Sequence, residues 1–227
     1  MSPPDVLAAG PGWVAVDKPP GILVIPGRHD KDNLREMSEA VVKSPLWVVH
    51  RLDRDTSGVV LFATRAETHR FLSAAFEHGA VQKTYWALVR GDLAEPVVAT
   101  FPLVPARRSR MRVAREGEAG KEAKTEFIPV ERWGQATWVQ AIPRTGRQHQ
   151  IRVHLAALGH PLWVDPQYAA NAIPVEPTSL TRTPLHAHRL TWTDEAGVTQ
   201  TVASPLPDDI SMALSTFRSL SGAGRSP

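Results

Sequence analysis

A chain of 227 residues with 42% hydrophobic and 22% charged residues is long enough to bury a substantial core and too apolar to be disordered. It has no Cys, which excludes disulfides and thiolate metal ligands and fits a reducing cytoplasm. The net charge of +3 is modest, no apolar run approaches a membrane span, and the start MSPPDVLAAG lacks a basic signal-peptide head.

In chain order, Trp13 to Asp17 and Ile22 to Ile25 predict two short strands meeting at the rigid turn Lys18-Pro19-Pro20-Gly21. Asp32 to Val42 has helical spacing, with Leu34, Met37, Val41 and Val42 on roughly one face. Trp47 to Val49 and Gly58 to Ala63 read as strands, and Glu67 to His78 as an amphipathic helix stopped by Gly79. Lys83 to Val89 alternates like a half-buried strand, which puts Tyr85 and Ala87 on one face and Trp86 and Leu88 on the other. Glu126 to Val130 and Thr137 to Ile142 predict a strand pair, and Gln148 to Leu158 a helix ended by Gly159. Arg189 to Thr193 and Thr199 to Val202 form a hairpin about Glu195-Ala196-Gly197, and Asp208 to Leu220 a closing helix. Single helices among strand pairs imply an α+β fold with a mixed, mainly antiparallel β-sheet and flanking helices. Without an internal repeat or clear linker, residues 1–220 are expected to be one catalytic domain, and 221–227 a disordered tail.

Three stretches carry chemistry. The first is His50 to Gly58, HRLDRDTSG, where the carboxylate of Asp53 sits between Arg51 and Arg54 and apolar runs flank both ends. Such a loop between buried strands holds reactive groups rigidly, although the same spacing serves an ordinary turn with a surface Arg–Asp pair. The second is Gly146 to Tyr168, GRQHQIRVHLAALGHPLWVDPQY. Here Ile151, Leu155 and Leu158 form an apolar stripe, with Arg152 on an adjoining face. Arg147 near the helix start opposes the helix dipole, and an Arg at such a place calls for an anionic partner, carboxylate or phosphate. The third is the strand of Tyr85, whose ring would be core or a stacking platform for a base. Arg107, Arg108, Arg110, Arg112 and Arg115 fall within nine positions, with Lys121 and Lys124 after them. They form either a solvated loop or a phosphate-contacting arm. His149, His154, His160, His186 and His188 raise the question of a metal, but their spacing lacks the i,i+4 pair of zinc hydrolases, so none is expected.

The chain resembles the RluA family of pseudouridine synthases, which isomerise uridine in structured RNA. The matching blocks are Lys18-Pro19-Pro20-Gly21, His50 to Gly58, Lys83 to Gly91 with its K-x-Y core, Gly146 to Tyr168, and Leu185-His186-Ala187 with Arg189 and Leu190. HRLD-x-x-TSG and GR-x-HQIRVHL are highly specific as a pair. The resemblance implies the pseudouridine synthase fold and base flipping, with Asp53 as the catalytic carboxylate. It makes Tyr85 the residue packing on the flipped uracil and Arg152 the ion-pair partner of Asp53. Arg51 would fill the vacancy in the RNA stack; Arg147, His149 and Leu185 would line the substrate, and Arg107 and Arg108 would grip RNA. Asp53 would attack C6 of the uracil, attack C1′ of the sugar, or remove a sugar proton; all three routes stay open. None needs a redox change or group donor, so no cofactor is expected.

The expected partner is ribosomal RNA, transfer RNA or both, bound by a cytoplasmic monomer without guide RNA and without a membrane. Because the sequence starts close to the catalytic blocks, the S4 RNA-binding domain that some relatives carry is not expected. The arm at 107–115 therefore gains weight as an RNA contact, and Lys121, Ala123 and Thr125 read as the start of a strand after it. One departure is Val164 where the family usually has Gly before Asp165; with Trp163 it is expected to alter a turn without touching Asp53, Tyr85 or Arg152. Two other readings are an RNA-binding protein that has lost catalysis and a His-dependent metallohydrolase of nucleic acid.

Overall fold

The computed structural model describes residues 3–27, 32–107, 109–169 and 177–223. In chain order the strands and helices are β1 (Val6–Gly10), β2 (Trp13–Lys18), α1 (Leu34–Val42), β3 (Trp47–Val48), β4 (Ser57–Ala63), α2 (Ala66–Glu77) and β5 (Gln82–Arg90). There follow β6 (Val97–Ala99), β7 (Leu103–Pro105), β8 (Met111–Val113), β9 (Thr125–Arg132) and β10 (Ala136–Pro143). The last elements are α3 (Gln150–Ala157), β11 (Leu185–Thr193), β12 (Thr199–Ala203) and α4 (Asp208–Ala223). Among the described residues no helix is long and apolar enough to cross a membrane.

The chain forms two compact units, each assembled from two segments: Met1–Thr84 with His186–Pro205, and Tyr85–Leu185 with Leu206–Pro227. In the first unit, β1, β2 and β4 pair antiparallel in that order, and β3 also pairs antiparallel with β4. β11 joins β4 in parallel and carries β12 antiparallel beside it. β4 is buried along its whole length, and after Ser57 its sequence GVVLFA is a continuous apolar run rather than an alternating one. Its Val59, Leu61 and Ala63 pack with Trp13, Leu72, Leu190 and Trp192. In the second unit β5, β10, β9 and β6 pair antiparallel in that order, and β7 and β8 form a separate ribbon. The expected α+β class and mixed, mainly antiparallel pairing are what these units contain.

The two faces of β5 divide as the alternation predicts. Tyr85, Ala87 and Val89 pack in one cluster with Ile151 and Leu155 of α3, while Trp86 and Leu88 pack in another with Ile210, Leu214 and Phe217 of α4. Trp163 and Val164 lie in that second cluster, Trp163 edge-on to Phe217 at 5.0 Å. Bulk at this turn thus serves the core beneath α4.

Some elements differ from expectation. Ile22 to Ile25 forms no strand beyond a single bridge of Leu23 to Asn33, because its carbonyls are used elsewhere. Leu23 and Val24 accept the backbone N–H groups of Leu34 and Arg35, the otherwise unpaired first donors of α1. Asn33 caps the same helix end through its Oδ1 on Glu36 N–H. α4 runs on to Ala223, and residues 224–227 lie outside the described ones. Lys121 makes only a bridge to Leu103, and the strand after the arm begins at Thr125.

Two residues lock the ends of the HRLDRDTSG loop in the first unit. His50 is half-buried, its ring stacked on Phe76 at 4.3 Å and its Nε2 accepting the N–H of Leu61 at 2.9 Å. Burial, with the nearby charge of Lys83, pushes the imidazole down to about 3. At the other end Gly58 has φ 116°, and a Cβ there would sit 2.2 Å from the carbonyl oxygen of Ala187 on β11. Only glycine allows both the backbone angle and this close approach.

Both locks are testable by urea unfolding. Gly58→Ala should destabilise the protein by on the order of 3 kcal/mol or more, from backbone strain plus overpacking. A loss under about 1 kcal/mol would contradict the steric argument. His50 binds a proton in the unfolded chain below about pH 6.5 and not in the folded protein until about 3. Stability should therefore fall through that window, by up to about 1.4 kcal/mol per pH unit from this group. His50→Gln should remove that component; identical pH dependence in both proteins would refute it.

Candidate active site

Lys18 is fully buried, and its ammonium donates to the carbonyls of Pro19 at 3.0 Å, Arg54 at 2.7 Å and Thr56 at 2.8 Å. Two of those carbonyls belong to the loop that carries Asp53. Gly21, at φ 88°, donates its N–H to the Arg54 carbonyl at 2.9 Å, so the Lys18–Gly21 block donates three hydrogen bonds to the loop. Thr56 N–H closes a turn onto the Asp53 carbonyl at 3.2 Å. Just beyond, the Ser57 hydroxyl meets His186 Nδ1 at 3.0 Å, and His186 Nε2 faces the Ser204 carbonyl at 3.3 Å. A carbonyl can only accept, so Nε2 carries a proton, and in the neutral ring Nδ1 accepts from Ser57. Within this frame Asp53 is half-buried, while Arg51 and Arg54 are exposed. The loop presents a carboxylate between two solvent-facing guanidiniums on an immobilised backbone.

The second unit holds Tyr85, Arg152, Leu185, Arg147 and His149. Tyr85 is half-buried and packs on the cluster that contains Leu185, Ile151 and Leu155, so the strand aromatic and the expected apolar wall share one apolar environment. α3 is buried from Gln150 to Leu155 rather than along one stripe. Arg152 is therefore interior, and it is held on three sides. Its Nε donates to Asp165 Oδ2 and its Nη2 to Asp165 Oδ1, both at 2.8 Å, and Nη2 also donates to Gln167 Oε1 at 3.0 Å. The ring of Tyr168 lies 5.0 Å from the guanidinium carbon, a cation–π contact. Asp165 is itself fully buried and also accepts the backbone N–H groups of Gln167 and Tyr168. The Val164 position thus adjoins the carboxylate that holds Arg152, closer to the site than the sequence suggests.

Tyr168 connects this cluster to the basic arm. Its hydroxyl accepts the N–H of Met111 in β8 at 2.9 Å and is hydrogen-bonded to His149 Nδ1 at 2.6 Å. His149 adopts a left-handed backbone, φ 54°, at the N-cap of α3. Gln150 ties the helix start to β9: it accepts from Thr145 and Arg147 N–H, and donates to Lys124 O and Thr125 Oγ1. Arg147 is exposed, and its Nε donates to the Glu122 carbonyl at 2.9 Å, so a backbone oxygen supplies the electronegative partner there. In the arm, Arg107 and Arg110 are exposed, and Arg108 lies outside the described residues. Arg112 forms a two-pronged pair with Glu118 at 2.6 and 2.7 Å, which with Arg115 N–H holds the Glu118 carboxyl at about 2. Arg112 braces the ribbon.

The histidines have structural work. His154 Nε2 faces the Phe101 carbonyl at 3.0 Å and Nδ1 the Thr125 hydroxyl at 3.1 Å, and burial lowers its proton affinity. His160 and His188 meet backbone carbonyls of Arg90 and Ser204. Among the described residues no group of three or more His, Asp or Glu side chains could hold a metal ion. Sequence reasoning overlooked Lys18 and Asp165 as holders of the loop and of Arg152. The only available signal was that each stands inside a family-like block, in KPPG and in WVDPQY.

Comparison with known proteins agrees with this assembly of blocks. The family described as RNA pseudouridylate synthase matches residues 12–157. Ribosomal large subunit pseudouridine synthase D of Nitrosomonas europaea is 34% identical over 220 residues, which cover 91% of this chain and 63% of that protein. tRNA pseudouridine synthase C of Pasteurella multocida is 34% identical over 210 residues, covering 83% of this chain and 85% of the relative. The chain thus spans under two thirds of the first relative and most of the second. Among solved structures, human RNA pseudouridylate synthase domain containing 4 superposes with a TM-score of 0.76 at 22% identity, covering 94% and 92% of the two chains, and so shares the fold. The family match takes in the clamped Asp53 loop, the Tyr85 strand and all of α3 with Arg152, and the chain belongs to the RNA pseudouridylate synthase family.

Proposed function

We propose that this protein is a stand-alone RNA pseudouridine synthase, an isomerase that converts specific uridines of ribosomal or transfer RNA to pseudouridine. The observation that carries the reading is the Asp53 loop. Its half-buried carboxylate sits on a backbone pinned by Lys18, while Arg51 and Arg54 beside it are exposed. The relatives named for ribosomal and transfer RNA support the substrate class. Residues 1–220 serve this one activity, in the cytoplasm, as a monomer and without guide RNA.

The target atoms of a stacked uridine are out of reach, so the nucleotide must leave the stack, at a cost of roughly a few kcal/mol. Arg51 offsets part of that cost by entering the vacancy, and Arg107 and Arg108 hold phosphates. Tyr85 packs on the extruded ring, with Leu185, Arg147 and His149 lining the substrate. Arg152 pairs with Asp53 and keeps it ionised as water leaves. Asp53 then acts by attack at C6, by attack at C1′, or by removing a sugar proton. Along each route the bond between uracil N1 and C1′ breaks, the ring turns, and C5 bonds to C1′. The C5 hydrogen departs as a proton and N1 gains one, so atoms balance without redox change, hydrolysis or cofactor.

Release of tritium from C5-labelled uridine in transfer RNA and large-subunit ribosomal RNA transcripts measures this reaction. Wild type should release it, and Asp53→Asn should lower turnover on the order of 10³-fold or more while folding and binding RNA normally. No release by wild type from either RNA, or retained turnover in Asp53→Asn, would overturn the reading. Replacing Arg107 and Arg108 together by Ala should weaken binding and reduce the slope of log affinity against log salt by about 1–2. An unchanged slope would remove the arm from the RNA interface.

A further inference from the structure

We infer that Asp165 is a positioning residue for the reaction: it sets the direction in which Arg152 presents its guanidinium. The inference rests on the proposed role of Arg152, but its geometry lies wholly within the second unit. A guanidinium on a flexible stem has many rotamers, and its usefulness depends on which N–H groups face the substrate side. Asp165 removes that freedom by engaging one edge of the fork, Nε and Nη2, with both carboxylate oxygens at 2.8 Å. Gln167 takes a further Nη2 contact, and the Tyr168 ring covers a face of the plane.

Asp165 is in turn immobile. Its Oδ1 accepts the N–H groups of Gln167 at 2.9 Å and Tyr168 at 3.2 Å, and its carbonyl accepts from Ala169 at 3.1 Å. One carboxylate therefore folds the 165–169 turn and fixes the guanidinium. Ion pairs in surface loops rarely have such a double role, and here side-chain exposure is 8% for Arg152 and 1% for Asp165.

Both oxygens hold Arg152 but only Oδ1 also serves the turn, which gives a variant that spares the turn. In Asp165→Asn the amide oxygen can still accept at the Oδ1 position, preserving the turn. The amide nitrogen then opposes the Nε–H of Arg152, donor against donor, so the guanidinium keeps its Nη2 contacts but must turn its Nε edge away. Two readouts are required. The first is the Arg152 Nε–H resonance, identified by its loss in Arg152→Lys; in Asp165→Asn it should shift and exchange faster with solvent. The second is turnover of C5-tritiated transcripts: kcat should fall about 10²-fold, as for a misplaced group, with KM changed less than about threefold. If either readout stays at the wild-type value, the inference is wrong. If Asp165→Asn does not fold, Asp165→Glu keeps the charge, moves the oxygens by one methylene, and must show the same two changes. Activity in Asp53→Asn would instead sink the underlying reading, whereas an inactive Asp53→Asn beside a fully active Asp165→Asn sinks this inference alone.

Discussion

A lysine ammonium with no solvent exposure is an expensive thing to fold around, since burying a charge is tolerated only when it is thoroughly hydrogen-bonded. Lys18 meets that condition with carbonyls, three of them, and two lie within the loop that carries Asp53. The loop cannot relax without abandoning a buried cation, which makes its conformation all-or-none. The backbone that carries the carboxylate is thereby held by forces acting on its neighbours. Gly58 against Ala187 and Ser57 against His186 extend the same logic to the strand that follows.

The second unit solves the equivalent problem with opposite means. Arg152 is a buried cation given a carboxylate of its own, Asp165, in two-pronged geometry. Such pairs contribute little net stability compared with well-packed apolar side chains, so their persistence points to orientation rather than to folding energy. Two buried cations, one on carbonyls and one on a carboxylate, thus order the Asp53 loop in one unit and the 165–169 turn in the other.

Much of this was readable in the sequence, for identifiable reasons. Glu67 to His78 declares itself because burial recurs at Thr68 and Leu72, one helical turn apart, and Thr137 to Ile142 because it is rich in apolar and β-branched residues; α2 and β10 fall there. β6, β7 and β8 have three residues each, too short for a period to show. Ile22 to Ile25 has a strand's composition, yet its carbonyls serve the start of α1, a competition that no local pattern reveals. In the site, Asp53, Tyr85 and Arg152 came from family-like blocks. Lys18 and Asp165 stood in those blocks without a visible duty, because their partners are 38 and 13 positions away.

The basic arm shows why counting charges is a poor guide to what they do. Arg112 spends its fork on Glu118 and Arg147 its Nε on a backbone carbonyl, whereas Arg107 and Arg110 stand exposed. The arm is also not an independent tentacle. Met111 donates to the hydroxyl of Tyr168, and the ring bearing that hydroxyl lies against the Arg152 guanidinium. The residue that anchors the ribbon and the residue that covers Arg152 are therefore the same tyrosine, so the position of the arm and the environment of the guanidinium are set together.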